Sequence, residues 1–582
     1  MKKFTKIAAL FVMMLALFVF VACDNDNGNE EAGASTYEGV GEGFGGNVYA
    51  TVTIEDGIII DIEVDVANET EGFRELAADQ IPDLVIEHQS IEVDAVTGAT
   101  ETSDGIIEAI TAALVAAGLN LDDFRGDVAV EGADVEDLEA DIVIVGAGGA
   151  GLAAAIEAAE AGASVIILER MPIVGGNTLR ATGGMNASET ELQAALDIED
   201  DVDSFFEDTL TGGQGTNDQE LLRIMVDYSA DAVHWINDLG AGLDNVTPFG
   251  GQTVNRTHRP VDGSPAGPIM VEVLTDRAEA LGVDILLNSE VTAILTEGDT
   301  VIGVLVEDVA TGDEFTVTAA ATILASGGFG ANPEMIEYYD PDLAGYFTTN
   351  HSGADGLVIQ MAADLGADLV DMVEIQTHPT TDRETGYMFT EAFRSDGAII
   401  VNNEGVRFVH ELETRDVVAA AILAQPDTDA FLITNGDMRE NNATLDRVIN
   451  AGFAVYGETL EELAEALGID AEAFVATMEA YREMVASDED TDFGREVMSQ
   501  DFAEGPFYAL SITPSIHHTM GGVRIDAQTR VLNAAGEAIP GLYAAGEIVG
   551  GIHGANRLGG NALTDIIVFG RIAGQIAASE LD

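Results

Sequence analysis

The thirty residues from Asp141 to Arg170, DIVIVGAGGAGLAAAIEAAEAGASVIILER, constrain the fold more than any other part of the chain. An apolar run, Ile142 to Val145, turns through Gly146-Ala-Gly148-Gly149-Ala-Gly151 into an alanine-rich helix and returns as a second apolar run ending at Leu168, Glu169 and Arg170. Short uniformly apolar strands joined by a helix belong to a parallel sheet covered on both faces, which predicts an α/β, doubly wound architecture. Glycine is needed at 146 and 148 because a tight turn and a close backbone approach leave no room for a Cβ, and at 151 so that the helix can pack on the strand. The N-terminus of that helix offers unpaired N–H groups and the positive end of a dipole to a pyrophosphate. Glu169, at the end of the second strand, is placed to accept hydrogen bonds from a ribose. The stretch therefore predicts a dinucleotide site.

A chain of 582 residues exceeds what one hydrophobic core organises, so several domains are expected. Its 104 acidic residues against 23 basic ones give a net charge of −81. That surface repels nucleic acid and anionic lipid headgroups, and it repels an anionic substrate too unless arginines gather at the site or salt screens the field. The lysines, Lys2, Lys3 and Lys6, all precede the seventh residue, and every later basic residue is arginine. Arginine keeps its charge at a pH where lysine begins to lose it, so the composition fits a saline or alkaline exterior as well as it fits simple solubility.

Those lysines begin a leader: an apolar run from Ile7 to Val21 follows, then Ala22 and Cys23. Phe20-Val-Ala-Cys23 resembles a bacterial lipoprotein cleavage box, with phenylalanine where leucine is usual, and that resemblance makes Cys23 the lipidated first residue of the mature protein. The expectation is an exported protein held at the outer face of the cytoplasmic membrane, with 24–35 as a polar tether; a single membrane-spanning anchor is the alternative, for which the run is short. Cys23 is the only cysteine, which excludes an internal disulfide, a CxxCH haem site and a Cys-ligated iron–sulfur cluster. With 9 histidines and neither HExxH nor a Cys/His cluster, no metal site is expected.

A small α+β domain is expected at 36–125, with alternating strands in NVYATVTIEDGIIIDIEVDV turning at Asp56-Gly57 and a helix over Asp104 to Leu119. Its Asp94-x-x-Thr97-Gly98-Ala99-Thr100-x-Thr102 resembles the flavinylation motif of FMN-binding domains, which implies FMN carried covalently on Thr102. Ser103 reads independently as a helix N-cap. An acidic linker, 126–138, leads into the body of the chain.

In the body, Gly175-Gly-Asn177-Thr178 and Thr182-Gly183-Gly184 let backbone amides reach a flavin, and a helix, a strand and a β-meander lead to Gly327-Gly328. A second glycine turn at Gly546-Glu547 and the run Gly554 to Ala562 close the C-terminal end, so a long nucleotide is clasped from both sides, which suits FAD better than NAD. GGNT, TGGMNA, THRP, HPT, TEAFR, ETRD, HHTMGG, GLYAAGE and GANRLGGNA resemble, in order and spacing, soluble fumarate reductases of the flavocytochrome c type and the wider succinate dehydrogenase flavoprotein family, from Asp141 to the end.

That resemblance implies an FAD domain, 139–365 and 504–582, interrupted by a clamp domain at 366–503. It implies non-covalent FAD held by Gly146, Gly148, Gly149, Gly151, Glu169, Arg170, Asn177, Thr178, Gly183, Gly184, Gly327, Gly328, Asp355, Glu547, Arg557 and Ala562. It places substrate on His378, Thr390, Glu391, His517 and Arg557, with Arg415 as proton donor and Glu391 and Arg394 as the relay behind it. The chemistry agrees: arginine grips a carboxylate with two parallel hydrogen bonds, histidine donates to the far end, and an arginine acid needs other cations nearby. Taken singly, His378 before Pro379 reads as a turn residue, Arg394 as the helix partner of Glu391, and Arg557 as a phosphate ligand.

Relatives acting on urocanate or other unsaturated acids replace part of the His/Thr/Glu set, so its retention favours a second carboxylate, hence fumarate. Because the FMN domain stands where the flavocytochromes carry haem, electrons are expected through FMN from a membrane quinol-linked or flavin-relay donor. Reduction of another unsaturated acid, such as urocanate or an acrylate, a steroid dehydrogenase, and a non-catalytic flavin carrier are the alternatives.

Overall fold

The computed structural model describes residues 35–581 apart from 44–46, 56–57, 67–76, 79–80, 83, 87–88, 92–99, 118, 120, 125–136, 310 and 429. The expected leader with Cys23, the 24–35 tether up to Ser35, the Asp56-Gly57 turn, Asp94 to Ala99 and nearly all of the linker lie outside the described residues.

The N-terminal unit is an antiparallel sheet, β1 (Ser35–Glu42), β2 (Asn47–Glu55) and β3 (Ile58–Asp65), with helix α1 (Thr100–Ala116) across it. Period-2 alternation puts Val48, Ala50 and Val52 of β2 into a core with Ile106 and Ile110 of α1. Gly39 and Gly41 allow β1 to meet the helix at backbone distance: a Cβ on Gly39 would stand 1.9 Å from the Ala109 carbonyl oxygen. The helix starts four residues before the expected Asp104, so Ser103 lies inside its first turn rather than at an N-cap. Thr102, which carries the implied FMN, sits in that same turn and is 4% exposed.

The body is built on parallel strands β4 (Leu138–Val145) and β5 (Val165–Leu168), connected by α2 (Gly149–Glu160). Asp284–Leu286 pairs with β5, and on the other side β6 (Glu314–Leu324) pairs parallel with β4. The first half of β6 belongs to an antiparallel meander with 289–297 and 300–308; its end pairs with another strand, β9 (Ala538–Ala544), once the chain returns. The doubly wound sheet with an inserted meander is thus present. Ile142 to Ile144 are fully buried, as a central parallel strand requires.

The C-terminal helix α5 (Asn561–Ser579) packs along α2, with Gly570 and Gly574 against its backbone; a Cβ on Gly574 would lie 2.1 Å from the Ala154 carbonyl oxygen. This is the one described helix long and apolar enough to cross a membrane, yet 56% of its apolar window is buried inside the protein, where it serves as a core helix.

A second core runs from Phe389 to Ile512. Its sheet places β8 (Phe507–Thr519) between β7 (Ile375–Asp382) and Ala430–Asn435, which in turn pairs with Ile399–Asn402. The core therefore extends past 503, while Ala367 and Met372, beyond 365, pack into the first core. Within the second core a buried cluster of charges holds 390–415 in shape. Glu411 accepts from Arg407 twice at 2.8 Å and from Arg495 at 3.1 Å, and Arg407 reaches Asp490 at 2.8 Å.

Candidate active site

Two clefts meet end to end, the first within the FAD-side body and the second between that body and the 389–512 lobe. The first is lined by Gly146, Gly148, Gly149, Glu169, Arg170, Gly327 and Asp355, at the carboxyl ends of β4, β5 and β6, the crevice where open α/β sheets bind nucleotides. Gly146 has φ 106°, and a Cβ there would stand 2.5 Å from the Ala325 carbonyl oxygen, so this position accepts glycine alone. Gly148 offers no capping side chain of its own and Thr178 Oγ1 accepts from the Gly149 N–H at 3.1 Å, with the positive end of the α2 dipole facing the cleft. Arg170 is held by Asp355, with Glu290 at 3.5 Å. These features fit the nucleotide half of FAD.

Three expected cofactor residues act differently. Gly151 and Gly328 are packing glycines: a Cβ on the first would be 2.0 Å from the Gly146 carbonyl oxygen, and on the second 2.1 Å from Thr519 Oγ1. Glu169 lines the cleft, but its oxygens already accept from the Ala147 N–H at 2.8 Å and the Met171 N–H at 2.9 Å. It therefore shapes the glycine turn while keeping its remaining lone pairs for a ribose.

Asn177, Thr178 and Glu547 line both clefts and join them. Asn177 is fixed by donating to Asn350 Oδ1 at 2.5 Å and to Glu547 Oε2 at 3.3 Å. The second cleft then continues past Gly183, Gly184 and Ala562 to His378, Thr390, Glu391, Arg415, His517 and Arg557. All five expected substrate residues and the expected proton donor share this wall. They come from distant segments: β7 brings His378, β8 brings His517, Arg415 opens helix α4 (Arg415–Leu423), and Arg557 precedes α5.

Arg415 donates through Nε to Glu391 Oε2 at 2.8 Å, and its Nη2 lies 2.7 Å from the same oxygen. Glu391 Oε1 lies 3.7 Å from Arg394 Nη2, so the three charges form a line leading away from the cleft. Arg394, fully buried and off the cleft wall, donates to the Glu411 carbonyl at 2.6 Å, and its own carbonyl accepts from Arg495 at 2.7 Å. Sequence reasoning did not find Gln376, two residues before His378. Its Oε1 accepts from Arg415 Nη1 at 3.1 Å and Arg557 Nη2 at 3.2 Å, and its Nε2 donates to Asn556 Oδ1 at 2.6 Å and the Arg557 carbonyl at 2.7 Å. One amide thus sets the spacing of two like charges. Gln376→Leu, which removes that shared acceptor, is expected to lower kcat/KM by roughly 10–100-fold, the value of one hydrogen bond to a charged group at about 1.5–3 kcal/mol, with FAD absorbance unchanged.

Burial lowers His378 and His517 well below the usual imidazole range, and Arg415 adds to this in both, so each is a neutral donor or acceptor. Their rings meet edge to face at 5.0 Å, and His517 Nδ1 shares a proton with Thr349 Oγ1 at 2.7 Å. For Glu391 burial raises the pKa, but Arg415, Arg394 and His378 together outweigh it and hold the carboxyl at about 2. Burial, then the charge of Arg415, brings Arg557 down to about 9. Its Nε has no hydrogen-bond partner among the described residues, which leaves a buried donor for an incoming carboxylate. The set can bind a small dianion between a cation and neutral imidazoles, with Arg415 on the same wall.

Comparison with known proteins agrees with this arrangement. Residues 141–563 match the FAD binding domain family and residues 43–115 the FMN-binding domain family. The chain is 42% identical to the NADH:fumarate oxidoreductase of Klebsiella pneumoniae over 90% of its own length, spanning 56% of that protein, and 36% identical to the urocanate reductase of Eggerthella lenta, covering 94% of this chain and 93% of that one. An open conformation of a flavocytochrome c3 fumarate reductase superposes with a TM-score of 0.65 at 40% identity, covering 76% of this chain and 78% of that one. The chain belongs to the fumarate reductase family of FAD-binding flavoproteins, with an FMN-binding domain at its front. It is an oxidoreductase of the class acting on carbon–carbon double bonds.

Proposed function

We propose that the protein reduces fumarate to succinate outside the cytoplasmic membrane, drawing electrons through FMN esterified to Thr102. The observation that carries this is the convergence of His378, Thr390, Glu391, Arg415, His517 and Arg557 on one buried cleft continuous with the nucleotide crevice. FAD, when bound, supplies a hydride to one alkene carbon. Arg557 clamps one carboxylate, with its Nε available for it, and His378 and His517 donate to the other. Arg415, at the cleft wall, gives a proton to the second carbon, and Glu391 passes a replacement from Arg394 along the line of charges. Export with a lipid anchor on Cys23 is supported by Lys2, Lys3 and Lys6 ahead of the Ile7–Val21 run. A quinol-linked or flavin-relay donor at the membrane would suit that location.

The test is oxidation of reduced methyl viologen by the flavin-loaded protein, comparing fumarate, urocanate, acrylate and cinnamate. Turnover confined to fumarate is expected. Turnover on another of the four with fumarate inert would overturn the substrate, and flavin reduction with no turnover on any would leave an electron carrier.

A further inference from the structure

We infer that Ile173 and Leu179 are the docking surface that holds the FMN-binding domain against the FAD cleft, making residues 171–184 a common wall between the two flavin sites. The inference rests on the reading of the clefts and of Thr102 as flavin sites. Among the described residues, these two are the side chains from outside the N-terminal unit that close over its core of β-strand and α1 residues. Leu179 ends the short helix α3 (Gly176–Leu179), and the residues just before it, Asn177 and Thr178, line both FAD clefts. Its two sides thus serve different domains, across a thickness no greater than one helix, about 10–12 Å with side chains. On the other side of the contact, Thr102 and Ile106 are spaced i and i+4 on α1, and Ile106 is fully buried in the core that Ile173 and Leu179 cover.

The wall is anchored rather than loose. Gly175 N–H donates to the Ala147 carbonyl at 2.8 Å and Gly267 N–H to the Ala181 carbonyl at 2.9 Å. Gly175 has φ 108°, and a Cβ on Gly267 would fall 2.0 Å from the Thr178 carbonyl oxygen, so the segment is pinned at backbone distance on both sides. A domain docked on it is held at one fixed distance from FAD. With FMN on Thr102 and FAD in the cleft, the wall would serve the passage of two electrons from reduced FMN to oxidised FAD, the balancing protons being exchanged with solvent. The primary reductant is a low-potential electron donor acting on FMN.

Ile173→Asp and Leu179→Asp test the dock in the full flavin-loaded chain. Placing a charge where either half-buried aliphatic group packs removes its apolar contact and adds the cost of desolvating a carboxylate, for roughly a tenfold shift toward the undocked state. Cleavage by a glutamate-specific protease between the domains, at Glu131 or Glu136, is expected to accelerate by about that factor. After full reduction and mixing with fumarate, reoxidation of flavin absorbance is expected to split into a fast FAD phase and an FMN phase slowed about tenfold. Ile173→Ala, which only trims the contact, should shift both readouts in the same direction by less. Wild-type cleavage rates and single-phase reoxidation in both aspartate variants would overturn the inference. If the parent protein turns over no unsaturated acid, the substrate reading fails, and the protease arm still decides the dock.

Discussion

An Arg415→Ala variant is expected to lose about 10²- to 10⁴-fold in kcat with fumarate while binding FAD as the parent does, because general acid catalysis from a positioned group carries that much of the rate. Arg415 faces the cleft, whereas the next cation of the line, Arg394, is fully buried behind Glu391. Its removal also strips Glu391 of its closest partner, the hydrogen bonds at 2.8 and 2.7 Å. Arg415 is the foremost of the charges holding that carboxyl at about 2, so the Glu391 pKa must rise in the variant. A lowered carboxylate pKa contributes stability that is present above the unfolded value and lost as pH falls toward the folded one. The parent should therefore lose this contribution between about pH 4.5 and 2, and the variant, which has less of it to lose, should be less stable at pH 7 but show the smaller fall in melting temperature between pH 7 and pH 4. A kcat within tenfold of the parent would remove Arg415 as the proton donor.

Arg557→Ala is expected to lower kcat/KM by roughly 10²- to 10⁴-fold, the worth of two charge-assisted hydrogen bonds to a carboxylate at about 1.5–3 kcal/mol each. The pH profile of the unmutated protein gives a second handle on the same residue. Burial and the charge of Arg415 hold Arg557 at about 9 in the empty cleft, so it loses its proton as pH rises through that value. A bound carboxylate favours the charged form and pulls the pKa back up. kcat/KM, which reports the free protein, should fall above about pH 9, and kcat, which reports the complex, should hold to higher pH. Parallel declines in the two would mean that some other group titrates.

What the sequence revealed of this site, and what it hid, divides along physical lines. Gly146 was legible because backbone geometry forbids a substitute, and Arg415, Arg557 and His378 because each chemistry admits few residue types; at Gly148 the expected steric need is absent from the protein itself, since a Cβ there would meet only the Gly175 carbonyl oxygen at 3.8 Å. Gln376 carries no such signature: a neutral amide in a strand reads as ordinary polarity until two arginines are seen to share its oxygen. Glu411 and Arg495 were hidden for a related reason, since charges far apart in sequence look solvated when read singly, and only the fold buries them against each other. Glu169 was located correctly as a cleft residue, but its hold on the Ala147 and Met171 amides is a tertiary fact. The boundary near 503 fell short because the apolar pattern of β8 is continuous, and nothing local marks where one core ends and the other begins.

That continuity has a mechanical consequence. Phe507, Ala509, Leu510 and Ile512 are packed into one core, and Ile516, four residues on in the same strand, into the other, with His517 next along. A single rigid rod thus passes through both lobes and carries the proposed substrate contact, His517, at the point where it crosses. Neither lobe can melt without pulling the rod from its neighbour, so the two should denature together. Any ligand gripping His517 would stiffen both at once, so that a molecule of a few atoms would act as a bolt for the two lobes together.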